Sequence, residues 1–321
     1  MTSAVQARDV PAGRRLSWRR SRQLSGYLFV LPTLAYVAFF FVIPIVLVAW
    51  MSAHVCQLLT CTISNAGALN LPDNYGSVTD SDLFWPAVRF TIVYTVLATT
   101  LLVGIGLGLA LLVQTPGRWV GFLRTSFLIP CALGLTTASL LFWGVYSGAI
   151  GPFGFVLDWL NSVGTQLGLV TQTSQVSFLG SPNTALVSTT VLVVWKFAGF
   201  YMIILLVGLQ SIPREMYEAA AIDGATRWQT FRRITLPLLR PSIALSLILC
   251  ITGSLLAFDQ FYILTKGGPD NTTVTVVQLI YREAFTLGKM GIGAAVSIFV
   301  LVGLLVLNAV QFRGLRGSAA D

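Results

Sequence analysis

The charged side chains of Lys196 and Asp259 lie inside long runs of apolar residues. A charge in a hydrocarbon environment is costly, and it marks a functional position unless a neighbouring helix satisfies it. Hydroxyl-rich cargo is typically held by hydrogen-bonding side chains together with aromatic faces. Groups of both kinds accompany the two charges, and together they are candidates to line a path for a polar cargo: Trp195, Lys196, Tyr201, Asp259, Gln260 and Tyr262. The alternative is that Lys196 and Asp259 bond only to neighbouring helices.

The sequence carries no cluster of residues typical of an enzyme or a metal site. His54 is the only histidine, and no set of cysteines and histidines has the spacing of a zinc site. A phosphate-binding loop of the form G-x-x-x-x-G-K-[ST] is absent, so any ATP hydrolysis must come from another chain. A membrane-embedded transferase or protease would also need several catalytic side chains at one depth. We therefore predict that this chain is not itself an enzyme and holds no cofactor or metal of its own.

The apolar runs that contain these residues are long enough to cross a membrane as helices. The 321 residues are 55% hydrophobic and 10% charged, with a mean hydropathy of +0.79, whereas about a quarter of a soluble domain is charged. About 20 helical residues span a bilayer core, and the runs do not alternate in polarity as barrel strands do. Gly104, Gly106 and Gly108 form a stripe suited to close helix packing. We predict an all-α polytopic membrane protein with six transmembrane helices near 27–50, 86–113, 122–146, 184–209, 241–264 and 290–312.

The basic residues indicate which helix ends face the cytoplasm. The formal net charge is +8, and most of the 20 Lys and Arg residues lie in 1–26, 114–124, 210–240 and 313–321. The positive-inside rule places these segments and both termini in the cytoplasm, which explains the charge without nucleic-acid binding. The predicted organisation is an Arg-rich cytoplasmic segment, a first helix, an external loop, a core of five helices and a cytoplasmic tail, at 1–26, 27–50, 51–85, 86–312 and 313–321.

The four cysteines fall into two pairs of different character. Cys56 and Cys61 lie in the predicted external loop, where an oxidising compartment would permit a disulfide between them. Their spacing alone does not establish the bond. Cys131 and Cys250 lie in apolar runs and are expected to pack as small hydrophobic residues.

The segment 210–240 is the one substantial cytoplasmic loop, and its residues predict a bent pair of short helices. Pro213 suits the first turn of a helix, and Gly224 can adopt the left-handed conformation that ends one. Thr226 followed three residues later by Gln229 is the pattern of a capping box, which begins a second helix. We expect that second helix to run to Ile234 and Pro237 to end it at the membrane.

The side chains of this loop suggest contact with another surface. Trp228 and Phe231 are three residues apart and therefore share one face of the second helix, and alanines 219 to 221 allow a close approach. A helix that presents a few apolar anchors to a groove is a common mode of recognition. A plain amphipathic linker lying on anionic lipid would have a similar pattern. The physical pattern favours neither of these alternatives.

The spacing of the loop residues resembles the signature loop of permease subunits in ATP-binding-cassette (ABC) importers. The matching residues are Glu218-Ala219-Ala220, then Gly224, and after nine further residues Ile234-x-Leu236-Pro237. The resemblance implies that the hairpin is a coupling helix that docks in a cleft of an ATPase subunit. Glu218 and Gly224 would then be the central docking positions, with Ala219, Ala220 and Asp223 beside them.

A second stretch resembles the carbohydrate-uptake branch of these permeases, the maltose and glycerol-phosphate type. It reads Phe258-Asp259-Gln260-x-Tyr262-x-Leu264-Thr265-x-Gly267-Gly268-Pro269, followed by Thr272-Thr273 and Tyr281-x-x-Ala284-Phe285. The resemblance covers about 85–312 and implies a type I ABC importer permease fold in a bacterial or archaeal inner (plasma) membrane. It also implies four partners: a second homologous permease, two ATPase subunits that bind ATP and Mg, and an external solute-binding protein.

Two other transport functions remain open at this point. The same architecture serves importers of other solutes, such as phosphate, sulfate or amino acids. An ion-coupled secondary transporter is a different class, and it should carry more carboxylates within the membrane than Asp259.

Overall fold

The computed structural model describes residues 28–57, 69–115, 117–147, 151–152, 154–155 and 177–318. Helices dominate this part of the chain, and a single β-bridge pairs His54 with Leu69. The helices in chain order are α1 (Leu28–Ser52), α2 (Leu71–Thr79), α3 (Phe84–Val113), α4 (Val120–Ala132), α5 (Leu135–Tyr146), α6 (Pro182–Gln210), α7 (Arg214–Ile222), α8 (Arg227–Leu238), α9 (Arg240–Leu255), α10 (Asp259–Leu264), α11 (Val276–Tyr281) and α12 (Met290–Ser318).

The predicted transmembrane runs are mostly helical where the structure describes them, but two of them are broken. Helices α1, α3, α6 and α12 are long and apolar enough to cross a membrane singly, and two bent helix pairs raise the number of spans to as many as six. The predicted third run, 122–146, is broken between α4 and α5, which meet at 96°. Leu133 and Gly134 are extended at this break, with ψ of 145° at both. The pattern of apolar residues does not reveal such a break, because the two halves of the run 122–146 are both apolar.

The predicted fifth run, 241–264, is also interrupted. Helix α9 ends at Leu255, and α10 begins at Asp259. The carbonyl of Ala257 in the interruption accepts a hydrogen bond of 2.8 Å from the Thr275 hydroxyl. A break of this kind is tolerated at membrane depth where protein groups satisfy the freed backbone. Asp259 therefore begins a separate short helix and does not lie within a continuous membrane span.

Helix α6 is the most buried of the four straight spans, and glycines allow its neighbours to approach it closely. An added Cβ at Gly106 of α3 would lie 3.0 Å from the Cβ of Tyr201. At Gly199 of α6, an added Cβ would lie 2.0 Å from the carbonyl oxygen of Phe127 in α4. Small residues permit this kind of contact between membrane helices. Of the predicted glycine stripe only Gly106 is in close contact, since Gly104 and Gly108 face open space.

Helix α1 stands apart from this core. Every residue from 28 to 47 is exposed in the isolated chain. Tyr36, Phe39, Phe40 and Phe41 form exposed ring contacts around a π-helical turn at Ala38–Val42. Only the second half of α1 packs on the body, alongside α12.

The segment predicted as an external loop, 51–85, contains a folded insertion built on α2. The Asn74 amide donates to the carbonyl oxygens of Ser52 and His54, at 2.9 and 3.0 Å. The Gly291 amide at the start of α12 donates to the Cys56 carbonyl at 3.1 Å. Cys56 is disulfide-bonded, but Cys61 lies outside the described residues, so the pairing of Cys56 with Cys61 stays a prediction.

Candidate functional site

The loop between α6 and α9 forms the predicted pair of short helices. Gly224 ends α7 with a φ of +72°, and the amides of Gly224 and Ala225 donate to the carbonyls of Ala221 and Ala220. This is the Schellman pattern of helix termination. Thr226 and Gln229 form the predicted capping box that begins α8, with side-chain-to-backbone bonds in both directions. The predicted helix end was wrong: α8 continues through a π-helical turn and Pro237 to Leu238, and the chain bends by 64° into α9.

The inner side of the loop is fixed to the membrane-spanning body. Ala220, Ile212 and Leu239 are buried, and the last two belong to an apolar cluster with the ends of α3 and α6. The Tyr217 hydroxyl lies 3.3 Å from the Thr235 hydroxyl and so joins α7 to α8. The loop is therefore packed directly against α3, α6 and α9.

The outer side of the loop exposes acidic and apolar side chains, and we call this surface the docking surface after its predicted role. The docking surface consists of six residues that are exposed in the isolated chain: Glu218, Ala219, Ile222, Asp223, Gly224 and Trp228. Ile222 is 87% exposed and Trp228 is 66% exposed, and the Trp228 ring stacks on Phe231 at 5.7 Å. The residue pattern missed Ile222, although it lies four residues after Glu218 and so on the same helix face. Of the other predicted loop residues, Ala220 packs inward, Ile234 and Pro237 are half-buried and Leu236 is partly exposed.

A cavity of about 190 Å³ lies between α3, α6, α9 and α10. Its polar groups come from Tyr94, Tyr201, Ser254, Asp259 and Gln260. The Gln260 amide nitrogen donates to the Tyr94 hydroxyl at 3.1 Å. Among the described residues, no donor reaches the buried Gln260 Oε1, and an unpaired buried acceptor is costly. Gln260 lines the cavity, so its side chain is a candidate contact for a polar molecule there.

The structure divides the six predicted path residues into two groups. Tyr201, Asp259 and Gln260 line the cavity, whereas Lys196, Trp195 and Tyr262 do not. The predicted set missed Tyr94 and Ser254, whose only signal in the sequence is a polar atom in an apolar run.

Lys196 bonds to the break between α4 and α5. Its side chain is 3% exposed, and Nζ donates to the carbonyl oxygen of Leu133 and, at 3.5 Å, to that of Cys131. The Cys131 thiol donates to the Lys196 carbonyl at 2.9 Å. The carbonyls of Cys131 and Leu133 lack helical partners because of the break, and the Lys196 ammonium group satisfies them. The same hydrogen bonds connect α4 to α6.

Of the remaining two predicted residues, Trp195 is 39% exposed and contacts the Phe142 ring at 5.2 Å. Tyr262 stacks on Phe258 at 5.1 Å. Among the described residues, no group of three His, Cys, Asp or Glu side chains is placed to hold a metal ion.

These features together define a helical membrane permease, with a cavity among its spans and an exposed hairpin at one end. The family model for binding-protein-dependent transport system inner membrane components matches residues 9–313. The chain belongs to this family and is a permease subunit of the ABC importer type. It is 33% identical to the trehalose/maltose transport system permease protein MalF of Thermococcus litoralis, over 93% of this chain and 95% of the relative.

Other relatives and solved structures agree with this assignment. The sulfoquinovosyl glycerol transport system permease protein SmoG of Agrobacterium fabrum is 35% identical, with 76% of each chain covered. The lactose transport system permease protein LacF of Rhizobium radiobacter is 30% identical, with 94% of this chain and 97% of the relative covered. A crystal structure of a bacterial ABC transporter for the import of alginate has a chain with a TM-score of 0.72 and 26% identity, covering 93% of this chain and 99% of that one.

Proposed function

We propose that the chain is the sugar-conducting permease subunit of an ATP-driven importer in a bacterial or archaeal inner (plasma) membrane. It would form the translocation path with a second, homologous permease and would act with two ATPase subunits and an external solute-binding protein. ATP and Mg would bind to the ATPase subunits and not to this chain. The observation that carries the proposal is the capped hairpin of α7 and α8, which exposes Glu218, Ile222 and Trp228 while its inner side is packed on the spans.

The docking surface suits a groove on the ATPase subunit. A buried apolar anchor surrounded by polar contacts is the usual pattern of strong protein recognition, and Ile222 and Trp228 provide two exposed anchors. Glu218 and Asp223 add negative charge beside them. Arg227, Arg232 and Arg233 of α8 are exposed as well, as basic residues would be on a lipid-surface linker, so the two carboxylates on and beside α7 carry the argument for a protein groove. On this proposal, the ATPase is contacted by Glu218, Ala219, Asp223 and Gly224. The hairpin is supported on the side that faces the membrane spans by Ala220, Ile234, Leu236 and Pro237.

The cavity is proposed as the part of the path that this chain contributes. Hydroxyls, an amide and a carboxylate around a small space are the groups that bind sugar hydroxyls. A sugar as cargo is also supported by the names of the relatives, which are permeases for trehalose and maltose, sulfoquinovosyl glycerol, and lactose. Tyr201, Asp259 and Gln260 are the proposed contacts.

The test is uptake by the whole complex, reconstituted in lipid vesicles with its two permeases, its ATPase and its binding protein. We expect uptake of at least one sugar from a panel of glucose, trehalose, lactose, maltose and maltotriose, and we expect uptake to require ATP. Sulfate, phosphate and an amino acid serve as the comparison solutes. Uptake at the full rate without ATP, driven by an ion gradient, would contradict the importer function. ATP-driven uptake of a comparison solute alone would contradict the sugar assignment.

We expect Gly224→Val to lower ATP-driven uptake about tenfold, while Gly224→Asn retains most of it. The left-handed conformation costs roughly 1–2 kcal/mol for a residue with a Cβ, and about 1.4 kcal/mol corresponds to a factor of ten. Asparagine tolerates this conformation far better than a β-branched residue. An added Cβ meets no atom of this chain within 4 Å, so the asparagine causes no clash within the permease. Uptake is compared at equal amounts of permease, and equal losses in the two variants would show that the backbone conformation is not the cause.

A further inference from the structure

An aromatic ladder extends outward from the cavity at the end of the molecule opposite the docking surface. We define it as Phe258, Tyr262, Tyr281 and Phe285. Successive ring centroids are 5.1 Å apart for Phe258 and Tyr262, 5.3 Å for Tyr262 and Tyr281, and 5.5 Å for Tyr281 and Phe285. Phe258 also lines the cavity. The ladder is therefore continuous with the cavity and leads away from it.

The ladder rings are accessible, unlike the aromatic residues that pack beside them. Tyr262 is 40% exposed and Phe285 is 56% exposed. In contrast, Phe261 of the same short helix is 0% exposed, and its ring packs against Tyr94 at 4.8 Å. The packing of α10 against the body is thus carried by its buried residues Gln260, Phe261 and Leu264. Phe258 and Tyr281 are half-buried, so Tyr262 and Phe285 are the two ladder rings that offer most accessible surface to a ligand.

The two tyrosines of the ladder, Tyr262 and Tyr281, meet edge to face, with their ring planes at 67°. Phe258 stacks on Tyr262 and Phe285 contacts Tyr281. These ring contacts hold the two tyrosines in fixed relative positions. Preorganised aromatic faces of this kind bind a ligand without a large cost in ordering.

The size of the cavity indicates what the ladder could bind. Sites for drug-sized molecules have volumes of about 300–1,000 Å³, whereas this cavity measures about 190 Å³. A sugar of more than one ring would therefore extend beyond the portion of the cavity that this chain provides. Asp259 lines the cavity and directly follows Phe258 in the chain. A polar acceptor and an aromatic face thus lie together where the ladder begins.

We propose that the aromatic ladder is a stacking subsite for the pyranose rings of the cargo, which it contacts before and while the first ring occupies the cavity. The C–H face of a pyranose is apolar and lies flat on an aromatic ring, while its hydroxyls remain free for Asp259 and Gln260. The proposal rests on the sugar-conducting function proposed above. It adds a preference for cargo of two or more rings.

The test compares variants of the whole reconstituted complex, with the binding protein saturated by the sugar of the panel that the unchanged complex transports fastest. We expect Tyr262→Leu and Phe285→Leu each to lower uptake about fivefold, because loss of one stacking contact costs about 1 kcal/mol. Tyr262→Phe, which keeps the ring, should stay within about twofold of the unchanged complex by the same reasoning. Phe122→Leu removes a ring that is 68% exposed on α4 and serves as the matched control.

A second measurement separates cargo contact from faulty assembly. Stimulation of ATP hydrolysis by the loaded binding protein should be retained in all four variants, so that less sugar enters per ATP in the two leucine variants. Normal uptake in both leucine variants would reject the stacking role of the ladder and leave the sugar-conducting function standing. A loss in Tyr262→Phe as large as that in Tyr262→Leu would have the same meaning. If the unchanged complex transports another solute but none of the sugars, the proposed cargo fails and the ladder proposal fails with it.

Discussion

A Gly199→Ala variant is expected to fail to accumulate as folded protein in the membrane. The new Cβ would lie 2.0 Å from the carbonyl oxygen of Phe127 and 2.7 Å from its carbon. Both are backbone atoms, so no side chain can rotate away, and α4 must move from α6. Overpacking of this kind costs about 3 kcal/mol, the upper end of its usual range, and that energy corresponds to roughly a hundredfold change in an equilibrium. The same shift would separate Lys196 from the carbonyls of Leu133 and Cys131.

The measurement is the amount of permease in purified membranes together with its thermal unfolding midpoint in detergent. Gly104→Ala is the matched control, because it makes the same change in a membrane helix where an added Cβ meets no atom within 4 Å. We expect the control to accumulate normally. Normal accumulation and an unchanged midpoint for Gly199→Ala would contradict the close contact of α4 and α6.

A Glu218→Lys variant is expected to remain folded but to lose its association with the ATPase subunit. Glu218 is exposed on α7, so the reversal should leave the unfolding midpoint unchanged. A partner surface that receives a carboxylate is expected to be positive, so the introduced lysine would face a like charge at a cost of several kcal/mol. We therefore expect at least a hundredfold weaker association. Uptake driven by ATP would be lost as a consequence. The measurement is the amount of ATPase subunit that co-purifies with the permease.

Asp80→Lys provides the matched control for this charge reversal. Asp80 is also exposed, but it caps the C-terminal end of α2, in the insertion opposite the docking surface. We expect full co-purification of the ATPase with this variant. An undiminished association of Glu218→Lys would reject the docking role of the hairpin, and an equal loss in Asp80→Lys would show that net charge is responsible.

Features that depend on neighbouring residues in the chain could be predicted well. The left-handed Gly224 and the capping box of Thr226 and Gln229 were both confirmed, because each is decided by a few consecutive residues. The break after α4 could not be predicted from Leu133 and Gly134. Its carbonyls are satisfied by Lys196, 63 residues further along the chain, and that pairing has no local signal.

The cavity illustrates the same limit for the candidate site. Asp259, Gln260 and Tyr201 could be selected as polar residues in apolar runs. Tyr94 joins them only because α3 brings it to Gln260 across 166 residues. Trp195 is adjacent to Lys196 in the chain, but its ring lies against Phe142, and Trp195 is not among the residues that line the cavity.

The sequence by itself determined the class of protein and its hairpin, because run length, charge placement and cap motifs are local properties of the chain. Only the tertiary structure decided the role of the charges within the membrane. Lys196 donates hydrogen bonds to backbone carbonyls at a helix break, whereas Asp259 lines a cavity. The physical reason is that a buried polar group takes its role from the partner that packing supplies, and that partner lies far away in the sequence.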